Sequence, residues 1–157
     1  MIYKIEVFNK PEFPDVNGSG LKKDVIDLGI KTISDARVSF LFQIEGDLSE
    51  KDIQRVCTEL LCDPVTQEYR FSPINPTNST NPINSTNPVI AEVWFKHGVT
   101  DNVGESTKIG IHDLGLKDVK SVKTGTKYIF TGINKEEAQR VCEKLLSNKV
   151  VQRFEVL

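Results

Sequence analysis

A chain of 157 residues, 38% hydrophobic and 27% charged, has the composition of an ordinary globular protein, and its formal net charge of −2 leaves no basic footprint for nucleic acid or an anionic membrane. No stretch approaches the ~18 apolar residues that span a bilayer, and the N-terminus reads as a strand rather than a signal peptide, so a cytoplasmic protein is expected. Cys57, Cys62 and Cys142 are odd in number and sit inside apolar runs, which excludes a disulfide framework and reads as buried structural thiols.

Along the chain, Tyr3, Ile5 and Val7 alternate with Lys4 and Glu6, the pattern of a half-buried strand. Asp15 offers an N-cap ahead of Gly18-Ser19-Gly20. Leu21, Val25 and Leu28 then mark one helical face, and Gly29 is placed to end the helix in the left-handed conformation. Ala36, Val38, Phe40, Phe42 and Ile44 alternate with Arg37, Ser39, Leu41, Gln43 and Glu45 across one long strand. Ser49-x-x-Asp52 resembles a capping box, with Asp where Glu or Gln is preferred. Behind it Ile53, Val56, Cys57, Leu60 and Leu61 keep helical spacing; Asp63-Pro64 breaks the helix, and a strand follows from Val65 to Phe71.

Residues 72–88 differ from everything else. Ser72-Pro73-Ile74-Asn75 opens a short internal repeat of Asn, Pro, Ser and Thr, in which missing donors and local side-chain bonds favour neither helix nor ladder. This segment is expected to be a linker. Asn78-Ser79-Thr80 and Asn84-Ser85-Thr86 match the glycosylation pattern, but without a secretory signal they read as linker composition.

After the linker the chain repeats itself. Glu6-Val7, Asp15, Gly18 and Leu28-Gly29 return as Glu92-Val93, Asp101, Gly104 and Leu114-Gly115, at an offset of 86 (92 minus 6). Gln54-Arg55-Val56-Cys57 returns as Gln139-Arg140-Val141-Cys142, at an offset of 85 (139 minus 54). Thr107, Ile111 and Leu114 form the helical face of this copy, with His112 off that face and expected at a solvated surface. Gly125, between Val119-x-x-Val122 and Tyr128-Ile129-Phe130, is expected to be a bulge or bend that splits the long strand. Asn134-x-x-Glu137 caps the last helix, Ala138, Val141, Cys142, Leu145 and Leu146 form its core face, and Val150 to Leu157 closes the copy.

A period of this length must be interpreted before the fold. The expected architecture is α+β: residues 1–71 and 89–157 as tandem βαββαβ-like modules joined by 72–88, with helices on one face of mostly antiparallel sheets. Each copy is about as short as a core that folds without staples, so the copies are expected to bury surface against each other. Fusion of a former homodimer produces such a pseudo-dimer, and the linker permits pairing within one chain or between two. The strand character of Phe154-Glu155-Val156-Leu157 fits a boundary ahead of a further domain as well as an end.

Motifs for chemistry are absent from the sequence. His97 and His112 lack Cys, Asp or Glu at metal-ligand spacing, and there is no nucleophile elbow, phosphate-binding loop or dinucleotide fingerprint. Glu136-Glu137 and Asp15 stand at helix starts, where the macrodipole accounts for acidic side chains. No intrinsic catalysis and no bound metal or cofactor are expected.

Lys96-His97-Gly98-Val99-Thr100-Asp101-Asn102-Val103-Gly104 resembles the Lys-x-Gly-Val-x-Asp-Pro-x-Gly opening of the PurS family, the small subunit of phosphoribosylformylglycinamidine synthase. The stretch from Cys142 to Phe154 is similar to that family's close. Asn102 stands where the family has Pro, and Thr126-Lys127 only approximates its central strand. Copy one keeps Lys10, Asp15 and Gly18 of the opening, has Phe13 where the family has Val, and keeps the close around Leu60 to Val65 and Tyr69.

The resemblance implies a tandem PurS, as occurs ahead of the synthetase in fused enzymes. It implies a non-catalytic part of a ligase in purine biosynthesis, one that pairs with itself and bridges a PurL-type synthetase and a PurQ-type glutaminase where ammonia passes. ATP, magnesium and glutamine would be used by those partners. Lys96, Asp101, Asn102 and Gly104, with their weaker counterparts Lys10 and Asp15, would lie at the docking surface. The competing reading is a tandem ferredoxin-like or ACT-like regulatory domain that binds a small effector. A third is a scaffold unconnected with purines.

Overall fold

The computed structural model describes residues 1–75 and 88–157. The first repeat contains β1 (Ile2–Asn9), α1 (Val16–Asp27), β2 (Asp35–Gly46), α2 (Glu50–Val56), which runs into a π-helical turn at Cys57–Leu61, and β3 (Gln67–Ile74). The second contains β4 (Val89–Phe95), α3 (Asn102–Asp113), β5 (Val119–Thr131), α4 (Lys135–Val141), with its own π-helical turn at Cys142–Leu146, and β6 (Gln152–Val156). The α+β class and the duplication are both present. The middle strand is one long strand in the first repeat, as expected, and in the second repeat as well, where a split was expected.

Gly125 therefore does not split β5. It pairs with Trp94 across the β4–β5 ladder, and a Cβ at Gly125 would lie 2.6 Å from Cδ2 of the indole. The glycine is there because a ring lies over the backbone, the other common reason for a strand glycine.

The chain divides into two compact units that do not coincide with the two repeats. The first unit takes Met1–Phe13, the chain from Phe40 to the linker, and Thr100–Thr124. The second takes Pro14–Ser39, the chain from the linker to Val99, and Gly125–Leu157. Each unit thus combines the first strand, second helix and closing strand of one repeat with the first helix of the other.

In the first unit the strand order is β3-β1-β2-β5, with β1 antiparallel to both β2 and β3. Tyr3, Ile5 and Val7 alternate toward the helices, and the register that sets Tyr3 against Ile44 puts Ile44 on the same face. There they meet Ile53, Val56 and Cys57 of the second helix, and Ile111, Val119 and Val122 contributed by the other repeat. The order in the second unit is β2-β5-β4-β6, with β4 antiparallel to β5 and β6. Its core joins Leu21, Val25, Ile30, Ile33 and Ala36 of the first repeat to Val89, Ala91, Phe130, Ala138, Val141 and Cys142 of the second. Fully burying an aliphatic side chain stabilises by about 1.5–3 kcal/mol, so each repeat supplies a large part of both cores' stabilisation.

The local signals hold. Asp15 and Asp101 cap α1 and α3, and Ser49–Asp52 and Asn134–Glu137 form complete capping boxes. Gly29 and Gly115 end their helices at φ 104° and 91°.

Three expectations change. Ser72, Pro73 and Ile74 continue β3 instead of opening the linker; β3 is the edge strand of its unit, where a proline's missing N–H leaves no gap in the ladder. The rest of the expected linker, 76–87, lies outside the described residues, as do both glycosylation-like triplets. His112 is half-buried, with its Nε2 buried and unpartnered, where a solvated side chain was expected. Leu41, assigned by alternation to the polar side of β2, is buried on that side opposite Glu6, whose carboxylate pairs with Arg70 at 2.9 Å.

Candidate functional site

The residues that carry the repeated opening motif form two equivalent loops, each tied at both ends. At the start, the Lys10 ammonium donates to the Pro64 carbonyl at 2.9 Å while the Lys10 N–H donates to Thr66. The Lys96 ammonium likewise donates to the Lys149 carbonyl and its N–H to Val151. Each lysine thus fastens the loop to the turn before its unit's closing strand. Between them, Gly98 adopts φ 82°, and His97 and Gly98 are exposed.

At the far end, each aspartate does two things. Asp15 accepts the Gly18 N–H and the Val38 N–H, both at 2.9 Å. Asp101 accepts the Gly104 N–H at 2.8 Å and the Thr124 N–H at 2.6 Å, and the Thr124 hydroxyl donates to the same carboxylate at 2.9 Å. One carboxylate therefore caps a helix and welds it to a strand, satisfying amides that would otherwise be orphaned. Gly18 and Gly104 permit the approach, because a Cβ would lie 2.2 Å from the Ala36 carbonyl oxygen in one and 2.5 Å from that of Val122 in the other. Asn102 and Val103, in the first turn of α3, are exposed. Lys96 thus supports one end of the loop and Asp101, with Gly104, the other, while Asn102 is exposed in the first turn of α3.

The second repeated string serves the pairing of the repeats. Arg55 of the first repeat donates to the Leu114 carbonyl of the second at 3.3 Å, and Arg140 of the second donates to the Leu28 carbonyl of the first at 3.5 Å. Both carbonyls belong to helix C-caps, where a cation also complements the helix dipole. The glycines that follow the long strands repeat the symmetry: Gly46 packs on the Asp118 carbonyl, and Gly132 on that of Thr32. Contacts of residue i with j and of their equivalents in reverse are the mark of an isologous interface.

The PurS family profile, described as phosphoribosylformylglycinamidine (FGAM) synthase, matches residues 2–74 and again 88–157. The chain belongs to the PurS family. Membership connects it with FGAM synthase and purine biosynthesis. A curated relative, phosphoribosylformylglycinamidine synthase subunit PurS of Archaeoglobus fulgidus, is 40% identical over 78 residues, which cover 44% of this chain and 96% of the relative. That PurS is therefore one repeat long, whereas each compact unit here draws on two.

No helix among the described residues is long and apolar enough to cross a membrane, and none of their His, Cys, Asp and Glu side chains group in threes that could hold a metal ion. Cys57 and Cys142 are fully buried, and burial pushes their thiols up to about 12 and about 11. They are packing groups, as the PurS repeats' apolar spacing implied. Sequence periodicity missed the π-helical turns that follow them, in which the Cys62 and Ser147 N–H groups reach back five residues to the Cys57 and Cys142 carbonyls, each at 3.0 Å. Beside the first turn an open groove of about 450 Å³ is lined by Phe42, Leu60, Leu61, Asn102, Val103 and Thr107. Leu60, which the sequence places in a core pattern, stays 40% exposed over Gly110.

Proposed function

We propose that this chain is a non-catalytic bridging component of phosphoribosylformylglycinamidine synthase, joining the ATP-dependent synthetase to the glutaminase so that ammonia released by one reaches the other. The support is the PurS match over both repeats, and a relative whose name makes it a subunit of that synthase. In this reading ATP, magnesium, glutamine and the ribonucleotide are held by the partners, and the chain works in the cytoplasm beside them.

The docking surface in this proposal is the exposed side of the 96–104 loop, with the 10–18 loop as its counterpart. Lys96, Lys10, Asp101, Asp15 and Gly104 hold the loops in shape, and Asn102 offers the partner a side chain free to change. The test combines the purified chain with the synthetase and glutaminase of its own source and measures glutamine-dependent amidine formation. Activity should require the chain, and Asn102→Arg should weaken assembly without changing the melting temperature. Equal activity with and without the chain would refute the proposal.

The groove beside α3 favours a second reading, an effector site in a regulatory pair, because its volume lies within the range of small-molecule sites. Screening amino acids and nucleotides for a rise in melting temperature separates the two, since a bound effector stabilises by mass action.

A further inference from the structure

The first repeat carries a second cysteine where the second repeat carries a serine. Cys57 and Cys142 are equivalent and fully buried, and at the far end of each π-helical turn stand Cys62 and Ser147. The Cys62 N–H donates to the Cys57 carbonyl at 3.0 Å, so this turn closes from residue i to i+5 where an α-helix closes to i+4. A turn closed in this way sets its end Cα atoms roughly 6 Å apart, inside the ~4.4–6.8 Å of disulfides. Both cysteines serve one core, Cys57 within it and Cys62 packed against it. Burial first, and then the neighbouring Cys62 thiol, push the Cys57 thiol up to about 12, which puts each sulfur within reach of the other's charge. In the second repeat the Ser147 hydroxyl instead donates to the Cys142 carbonyl at 2.9 Å.

We propose that Cys57 and Cys62 form a redox modification site: hydrogen peroxide oxidises them to a disulfide across the π-helical turn, while Cys142, facing a serine, stays reduced. Cys62 is the point of entry, because it is half-buried and lines an open pocket of about 340 Å³ with Thr58, Pro64, Gln67 and Tyr69. Its thiolate attacks one peroxide oxygen; the O–O bond breaks, the departing hydroxide takes up a proton as water, and Cys62 becomes a sulfenic acid. The Cys57 sulfur then attacks the Cys62 sulfur, the S–O bond breaks, and the hydroxyl leaves as water with the Cys57 proton. The two thiols together lose two electrons and two protons, and one peroxide becomes two waters. Burial and then Asp63 raise the Cys62 thiol, so the oxidation quickens as pH rises. The bridge encloses Thr58 to Leu61 and fixes the turn that carries Leu60 and Leu61 along the groove beside α3.

The test treats the full chain with hydrogen peroxide in native buffer, alkylates the remaining thiols in urea, and weighs tryptic peptides without reduction. Trypsin cuts after Arg55 and Arg70, so both cysteines fall in one peptide, Val56–Arg70. That peptide should be lighter by two hydrogens and carry no alkyl group, and reduction should restore both thiols, while Cys142 should be alkylated. The rate should rise about tenfold from about pH 6.5 to about pH 7.5, since below its pKa a thiol's ionised fraction grows about tenfold per unit. Cys62 halted at a sulfenic or sulfinic acid, or bridged to another molecule, with Cys57 alkylated, overturns the proposal. The other repeat supplies a second measurement: in Ser147→Cys the same treatment should bridge Cys142 to position 147. A folded variant in which that bridge does not form overturns the proposal as well, because the two turns close in the same way.

Discussion

Gly18 and Gly20 lie two residues apart in α1, yet alanine should act on them in opposite directions. A Cβ on Gly18 would fall 2.2 Å from the Ala36 carbonyl oxygen and 2.7 Å from Asp15 Oδ2, and neither can yield cheaply: one is β2 backbone and the other is the helix cap. Overpacking costs about 1–3 kcal/mol and a disturbed cap about 1 kcal/mol. Replacing a helical glycine returns up to ~1 kcal/mol, which leaves a net loss of roughly 1–3 kcal/mol. At ~2–4 °C per kcal/mol for a chain of this size, Gly18→Ala should lower the melting temperature by about 2–12 °C. Nothing lies within 4 Å of a Cβ on Gly20, so Gly20→Ala keeps only the helix-propensity gain and should raise the melting temperature by ~1–4 °C. Urea and thermal unfolding followed by circular dichroism measure both. If Gly18→Ala is neutral, the close seating of α1 on β2 is wrong. Equal effects of the two substitutions would refute the reasoning as a whole.

Other outcomes follow from the same geometry. Asp101→Ala should cost about 2–4 kcal/mol, since it removes a cap and leaves the buried-side Gly104 and Thr124 amides unpaired, while Asp101→Asn, which keeps an acceptor, should cost less; urea unfolding checks the order. The Ser49 N–H, and then its hydroxyl, hold the Asp52 carboxyl below its ordinary 3.8. A depressed folded value means that this contribution is complete above the ordinary value and is lost as pH falls through the depressed one. NMR titration of Ser49→Ala should show Asp52 moving back up. With Cys57 and Cys142 buried and their thiols pushed to about 12 and about 11, a thiol reagent near pH 8 should label only half-buried Cys62 in the native protein, and all three cysteines in urea.

The elements themselves were legible because their signals are local. Alternation from Ala36 to Ile44 marked β2, and cap residues such as Asp15, Ser49 and Asn134 marked three helix starts. The exchange of helices was not legible, because periodicity shows which face of α1 is buried and not which strand covers it. Gly125 was misread since a strand glycine has two causes, a bend or a close neighbour, and only the structure shows Trp94 on it. Leu41 and His112 fail for a related reason: alternation and helical phase assign a face but not what the neighbouring strands and helices lay over it. As for the candidate site, the sequence located Lys10, Asp15, Lys96 and Asp101 but not their work, since the carbonyls of Pro64 and Lys149 that receive the lysines lie 54 and 53 residues away.

Each folded unit is assembled from both repeats, and that shared assembly is open to experiment. Its most direct test prepares residues 1–75 and 88–157 as separate chains and follows helical content, mass and Trp94 fluorescence before and after mixing. Neither half should be a folded monomer by itself, and the mixture should give a 1:1 complex with the spectrum of the intact protein. Two halves that each fold as stable monomers, and do not respond to mixing, would contradict it.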